Sequence, residues 1–436
     1  MAKKAKQQAP INENWIDVGD KFAEEGNYQN AIESYTKALK VNPRAGFAYF
    51  KRGNAHLELE NFRAALTDYN NAITINQDFS FAYYKRGIVN IELRQYSSAS
   101  ADLTRAIEIN QDFSFAYYRR GYVRFLTRDY DSALEDFDKA IDLSPGYAQA
   151  YLYRGNCNFE KKEYELAIKD FTRSIGLDPT NLKAFTTRGI ANSLIKNFKG
   201  AIRDYSSAIA IDPDNALALS YRGLIYSREK EYENALKDFE RVVELNPNSA
   251  ESYNNRGICN YQMKNYESSI RDFDSAIKID PDSAKVFFNR GNANYHMKQY
   301  FDAITDYDKA LDIDPGMTLA YYARGNANTN LEQYKEALKN FSRAIALNTK
   351  YIQAYLARGN VFMKMKYYKK ALEDFTLAIE INPDYPHGYL NRGIAYRADN
   401  KLEDAATDFQ QFLKIHDKID SAYAQVKGWL KKMGYS

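Results

Sequence analysis

Residues 75–87 read INQDFSFAYYKRG and residues 109–121 read INQDFSFAYYRRG, so one stretch returns after 34 residues with a single change, Lys85 to Arg119. The glycine closing each copy belongs to a longer series. Gly19, Gly53, Gly87, Gly121, Gly155, Gly189, Gly223, Gly257, Gly291, Gly325, Gly359 and Gly393 recur every 34 residues. Twelve units of 34 fill residues 12–419 without insertion, leaving 1–11 before them and 420–436 after. Such a period marks stacked supersecondary units, each burying its apolar face against the next.

Counting repeat positions from Asn12 puts each of these glycines at position 8. Position 20 is Ala (Ala31, Ala65, Ala133, Ala235) except at Ser269, and position 24 is Tyr or Phe except at Leu103. Position 17 is aromatic up to Tyr368, with Leu402 in the last repeat, and eight of the ten prolines stand at position 32. Apolar spacings of three and four predict two amphipathic helices per repeat, joined near positions 15 to 18. A glycine inside a helix costs about 1 kcal/mol against alanine, so twelve of them imply close helix approach at positions 8 and 20, with aromatics filling the space around it. Pro at position 32 stops the second helix by pushing the residue before it out of the α region.

This period with its small, aromatic and proline positions resembles the tetratricopeptide repeat family over residues 12–419. The resemblance implies an all-α fold, a right-handed superhelical solenoid of twelve helix pairs whose first helices line a concave groove. Residues 1–11 are then a flexible basic tail. Residues 420–436, with Ala422, Tyr423, Val426, Leu430 and Met433 on one stripe and lysines opposite, form a solvating final helix.

Position 7 is Arg in eleven repeats, from Arg52 to Arg392, and position 23 is Asp in ten of those. The first repeat lacks both, having Val18 and Ser34. This co-occurrence predicts an ion pair between the two helices of a repeat, since half-buried charges survive when paired. The functional alternative is an anion-binding ladder. Arg324 has Asn340 in place of the aspartate and is the one arginine singled out as a possible ligand contact.

By family analogy positions 2, 5, 6, 9, 12 and 13 face the groove. Its N-terminal zone reads aromatic and basic: Phe47, Phe50, Lys51, Phe81, Tyr84, Lys85, Phe115, Tyr118, Arg119, Tyr122 and Phe125. Thr186, Ser193, Ser220 and Ser227 make a small polar middle. A third zone sets Tyr261, Phe288, Tyr295 and Tyr322 beside Asn292, Asn326 and Asn360, which hold position 9 in successive repeats. A spaced row of amides can grip a peptide backbone without reading its side chains; the family's sugar-transferring member uses an asparagine ladder in this way. Solvated polar residues are the plain alternative. Asparagines at position 11, from Asn90 to Asn328, are expected to bond into the Arg–Asp pairs. Chaperone-binding members clamp a C-terminal carboxylate with Lys at position 5 and Asn at position 9, but here position 5 runs Ile16, Phe50, Tyr84, Tyr118, Leu152, Thr186 and on without a lysine.

Lys+Arg 60 against Asp+Glu 57 gives a formal charge of +3, too near balance for a protein built to neutralise phosphates. No run of eighteen apolar residues occurs, and no apolar stretch follows the tail to make a signal peptide. Cys157 and Cys259 sit three repeats apart, too far for a disulfide, and read as packed thiols of a cytoplasmic protein. His56, His296, His387 and His416 have no ligand spacing, and no phosphate loop appears. With 28 residues outside the repeats there is no room for a catalytic domain.

The expectation is therefore a non-catalytic adaptor without cofactor, binding a protein or peptide ligand, not inserted in a membrane, and monomeric or weakly self-associating. Two alternatives stand beside it. One is single-stranded nucleic-acid binding, with Phe47, Phe81 and Phe115 stacking bases beside Lys51, Lys85 and Arg119, against which the charge balance argues. The other is a self-assembling scaffold.

Overall fold

The computed structural model describes residues 14–416 and 418–435, so the expected tail at 1–11 lies outside the described residues. These contain 25 α-helices and no strand. The chain divides into two compact units, residues 1–218 and 219–436, and the same local construction runs through each. In the third repeat the first helix covers Ser80–Glu92 and the second Tyr96–Ile109, which are positions 1–13 and 17–30.

The turn between the helices of a repeat is three residues long and built around a left-handed residue at position 15. Gly26 holds it in the first repeat at φ +74°. Eleven later repeats put Glu60, Arg94, Arg128, Lys162, Lys196, Lys230, Lys264, Lys298, Glu332, Lys366 and Asn400 there at φ between 56° and 65°. Asn61 N donates to His56 O at 2.8 Å and Glu60 N to Leu57 O at 2.9 Å, the paired bonds of a Schellman cap. The cap fixes the turn, and the long polar side chains tolerate its left-handed residue at a cost of about 1–2 kcal/mol each. Lys264→Gly is accordingly expected to stabilise its repeat by about 1 kcal/mol, read as slower amide exchange in the flanking helices. Unchanged or faster exchange would show that the lysine stem does more than cover the turn.

The second helix ends as the prolines predict, with Asn42, before Pro43, extended at φ −132° and ψ 93°. Asn76 takes the same conformation before Gln77, a non-proline. Its Oδ1 accepts from Asp78 N at 3.1 Å, the same Asx turn that Asn42 Oδ1 makes with Arg44 N at 3.0 Å, so the turn forms with or without the proline.

The glycine at position 8 makes room chiefly for the ring at position 24. A Cβ on Gly155 would stand 2.7 Å from Phe171 Cε1, and one on Gly359 2.5 Å from Phe375 Cε1. Where position 24 is Leu103, the carbonyl of Ala99 at position 20 comes to 3.5 Å of the same point, so the small pair also lies close. The last helix, Ser421–Lys432, buries Val426 and Leu430 in a cluster with Phe409 and Phe412. Trp429 joins them, its ring 5.3 Å from Phe409 and covered by the Arg397 guanidinium at 4.0 Å.

Candidate functional site

The arginines at position 7 are structural. Arg154 donates from Nη2 to Asp170 Oδ1 at 2.6 Å and from Nε to both carboxylate oxygens at 3.1 Å. Equivalent two-point pairs join Arg52–Asp68, Arg86–Asp102, Arg120–Asp136 and Arg188–Asp204 in the N-terminal unit. Arg222–Asp238, Arg256–Asp272, Arg290–Asp306, Arg358–Asp374 and Arg392–Asp408 do so in the C-terminal unit. Sequence reading missed the third arm. Nη1 reaches position 25 of the preceding repeat: Thr36 from Arg52, Asn70 from Arg86, Thr104 from Arg120, Asp138 from Arg154 and Thr172 from Arg188. In the C-terminal unit Arg290, Arg324, Arg358 and Arg392 meet Asp274, Asp308, Ser342 and Thr376. A ring three residues earlier, such as Tyr151 at 5.4 Å from Arg154, covers the guanidinium face in most repeats, and Arg222, with Leu219 there, lies over Tyr226 instead. Each of these nine arginines thus staples two helices of its own repeat to the repeat before.

Arg324 fits the same scheme. Its Nε donates to Asn340 Oδ1 at 2.8 Å, and its charge is met by Asp308, so it offers no unpaired cation to a ligand. Position 11 does bond into the pairs where an aspartate exists: Asn90, Asn158, Asn192, Asn260 and Asn294 donate to Asp102, Asp170, Asp204, Asp272 and Asp306. Asn328 has no such aspartate and donates to Arg324 O instead.

In the N-terminal unit the eleven groove candidates separate into two kinds. Phe50 and Tyr118 are buried, packed on Tyr69 and Phe137, which corrects their reading as open groove residues. Tyr84, at position 5 like them, is only partly buried and packs its ring 4.8 Å from Phe113. Tyr122 and Phe125 pack edge-on against Tyr153 at 5.0 and 5.7 Å. Phe47, Phe81 and Phe115 remain 53, 50 and 51 % exposed at the same position of three successive repeats. Lys51 is paired with Asp20 at 3.3 Å. Lys85 and Arg119 are half-buried and make no ion pair among the described residues. Burial pushes the Lys85 ammonium below its usual range.

In the C-terminal unit the asparagines at position 9 are not equivalent. Asn292 Oδ1 accepts from the hydroxyl of buried Tyr307 at 2.9 Å, a role forced by a tyrosine at position 24. Asn54 does the same for Tyr69 in the N-terminal unit. Asn326 and Asn360 face repeats whose position 24 is Phe341 or Phe375, so no hydroxyl calls on them. Their amides have no hydrogen-bond partner among the described residues. One cavity of about 260 Å³ is walled by Phe288, Asn292, Tyr295, Tyr322, Asn326 and Tyr351. A second, of about 420 Å³, shares Tyr322 and Asn326 and continues past Asn360 to Tyr385 and Asn391. The two adjoin along Tyr322 and Asn326, and their walls together carry the amides of Asn292, Asn326 and Asn360.

Burial pushes the Cys157 thiol up to about 12 and that of Cys259 to about 11, so both stay protonated and inert near neutral pH. Among the described residues no three His, Cys, Asp or Glu side chains come together as a metal site, and no helix is long and apolar enough to cross a membrane.

Models of the tetratricopeptide repeat match residues 48–79, 84–148, 118–181, 223–288, 284–317 and 352–385, and a TPR repeat model matches 19–60, 196–229 and 325–366. The chain belongs to the tetratricopeptide repeat family. Among solved structures it is similar to MamA, at 28 % identity over 38 % of this chain and 98 % of MamA, with a TM-score of 0.36. YrrB, described as a TPR protein with an unusual peptide-binding site, is 24 % identical over 43 % of this chain and 97 % of its own, with a TM-score of 0.39. Yeast Tom70 is 17 % identical over 96 % of each chain, with a TM-score of 0.43. No curated protein matches the sequence significantly.

Proposed function

We propose that the protein is a non-catalytic interaction scaffold of the cytoplasm that holds an extended peptide segment of a partner in the amide-lined cavities of its C-terminal unit. One observation carries this reading. Asn326 and Asn360 line adjoining cavities with amides that the fold itself does not use. An amide there can accept from a peptide N–H and donate to a carbonyl at once, which holds main chain in register. The rings of Phe288, Tyr295, Tyr322 and Tyr351 supply apolar walls for a side chain at the same place.

The test is a peptide selected from a displayed random library on the full chain, then titrated by fluorescence polarisation. Asn326→Ala/Asn360→Ala is expected to weaken binding about thirtyfold, two bonds at roughly 1 kcal/mol each, with the melting curve unchanged. Asn292→Ala behaves differently. It strands the buried Tyr307 hydroxyl and lowers stability by about 1–3 kcal/mol, and Tyr307→Phe on that background restores it. Equal affinity of wild type and the Asn326/Asn360 double variant would sink the cavities as the docking site.

A further inference from the structure

The N-terminal unit carries a second feature that its own fold does not explain: cations set on tyrosine rings with no carboxylate to answer them. The Arg119 guanidinium lies over Tyr118 at 5.6 Å, and its Nε is buried without a hydrogen-bond partner. Lys183, exposed, stands over Tyr153 at 5.3 Å. The rings between them form one array, Tyr118–Tyr153 at 6.0 Å and Tyr122–Tyr153 at 5.0 Å. Neither cation makes an ion pair among the described residues, nor does half-buried Lys85 one repeat before. Ring faces repay part of the cost of a half-buried cation, and a counter-ion repays more.

Beside these cations lie the exposed rings of Phe81 and Phe115. Each is backed by a neighbour, Phe113 at 4.9 Å and Tyr147 at 5.2 Å, which keeps it from folding into the core. The two rings occupy one position in successive repeats, so they are spaced by about one helix packing distance, 8–10 Å. An extended chain covers that distance in about three residues.

We infer that this face docks an acidic extended peptide, with apolar side chains about every third residue seated on Phe81 and Phe115 and its carboxylates on Arg119 and Lys183. The site extends the peptide-binding reading to the other unit and is read by charge, where the amide-lined cavities are not. The complement fits a peptide better than a nucleic acid. Asp20, Glu24 and Glu58 line the cavity that holds Lys51 and Lys85, and those carboxylates repel a continuous phosphate backbone. A peptide with isolated acidic residues places its carboxylates past them.

The full chain is titrated by fluorescence anisotropy with labelled peptides of repeating Leu-Asp-Ser and Leu-Lys-Ser triplets, and with labelled oligothymidine. The acidic peptide is expected to bind saturably, more weakly as salt is raised, and the lysine peptide not to bind. Arg119→Gln/Lys183→Gln is expected to weaken the acidic peptide about tenfold or more, and Phe81→Ala/Phe115→Ala to weaken it with less salt dependence. Circular dichroism should show both variants folded, since the residues replaced make no ion pair within the chain. Asn326→Ala/Asn360→Ala should bind the acidic peptide as wild type does, which separates this site from the amide-lined cavities. Equal binding of both peptides, wild-type affinity in Arg119→Gln/Lys183→Gln, or tighter binding of oligothymidine would overturn the inference. A dimer in sedimentation that Arg119→Gln/Lys183→Gln dissolves would also overturn it, by making the face a contact between copies.

Discussion

Gly393→Ala is expected to destabilise the C-terminal unit by about 2 kcal/mol, while Gly428→Ala stabilises it by about 1 kcal/mol. Both glycines lie inside helices, Pro386–Ala398 and Ser421–Lys432, where helix propensity alone favours alanine at either site. Packing reverses the sign at one of them. A Cβ on Gly393 would stand 2.7 Å from Cε1 and 2.8 Å from Cδ1 of Phe409, a ring with no exposed surface in which to turn. The helices must part instead, and close-packed interiors resist that. Nothing lies within 4 Å of a Cβ on Gly428. The readout is amide exchange of each helix, because repeat arrays need not unfold as one step. If both changes stabilise, the ring is free to shift and the position-8 glycine is not there to admit it.

The period, the helix pairs and the Arg–Asp ion pairs were legible because repetition turns one chain into twelve trials. The first repeat lacks Arg and Asp together, which couples the two positions without any structure. The third arm of the arginine was not legible. Its partner at position 25 varies among Thr, Asn, Asp and Ser and belongs to the neighbouring repeat, so no column of one residue type announces it. The left-handed turn at position 15 was hidden likewise. Lysine and arginine there read as solvated turn residues, and Gly26 and Asn400 were the faint signal. At the candidate site, family positions grouped residues on one helix face but did not grade their burial. Phe47 and Phe50 are both aromatic on one face, yet only the second is buried, because its ring drops onto Tyr69 and Phe79. Asn292 differs from Asn326 through what sits fifteen residues on, Tyr307 against Phe341.

Asp374→Asn should open its repeat by about 3 kcal/mol, and Asp306→Asn by about half as much. The difference lies in the second partner of each arginine, which outweighs the Asn294 bond that Asp306→Asn also weakens. Arg358 holds Asp374 by two bonds, 2.9 Å from Nε and 2.6 Å from Nη2, but its Nη1 meets only the neutral Ser342 hydroxyl at 2.9 Å. Removing the charge of Asp374 leaves a half-buried guanidinium with no carboxylate. Arg290 keeps Asp274 at 2.6 Å when Asp306 is neutralised, so its charge remains answered. The chain already contains this arrangement. Arg324 pairs with Asn340 in its own repeat and with Asp308 of the repeat before, and the fold there is unbroken. Ser342→Asp on the Asp374→Asn background copies that geometry one repeat further along and should restore about 1–2 kcal/mol. Local exchange protection in helices 352–364 and 368–381 measures Asp374→Asn and its rescue, and that in helices 284–296 and 300–313 measures Asp306→Asn. Equal losses at Asp374 and Asp306, with no rescue by Ser342→Asp, would mean that the bond to the preceding repeat carries no charge compensation and that each ion pair stands alone.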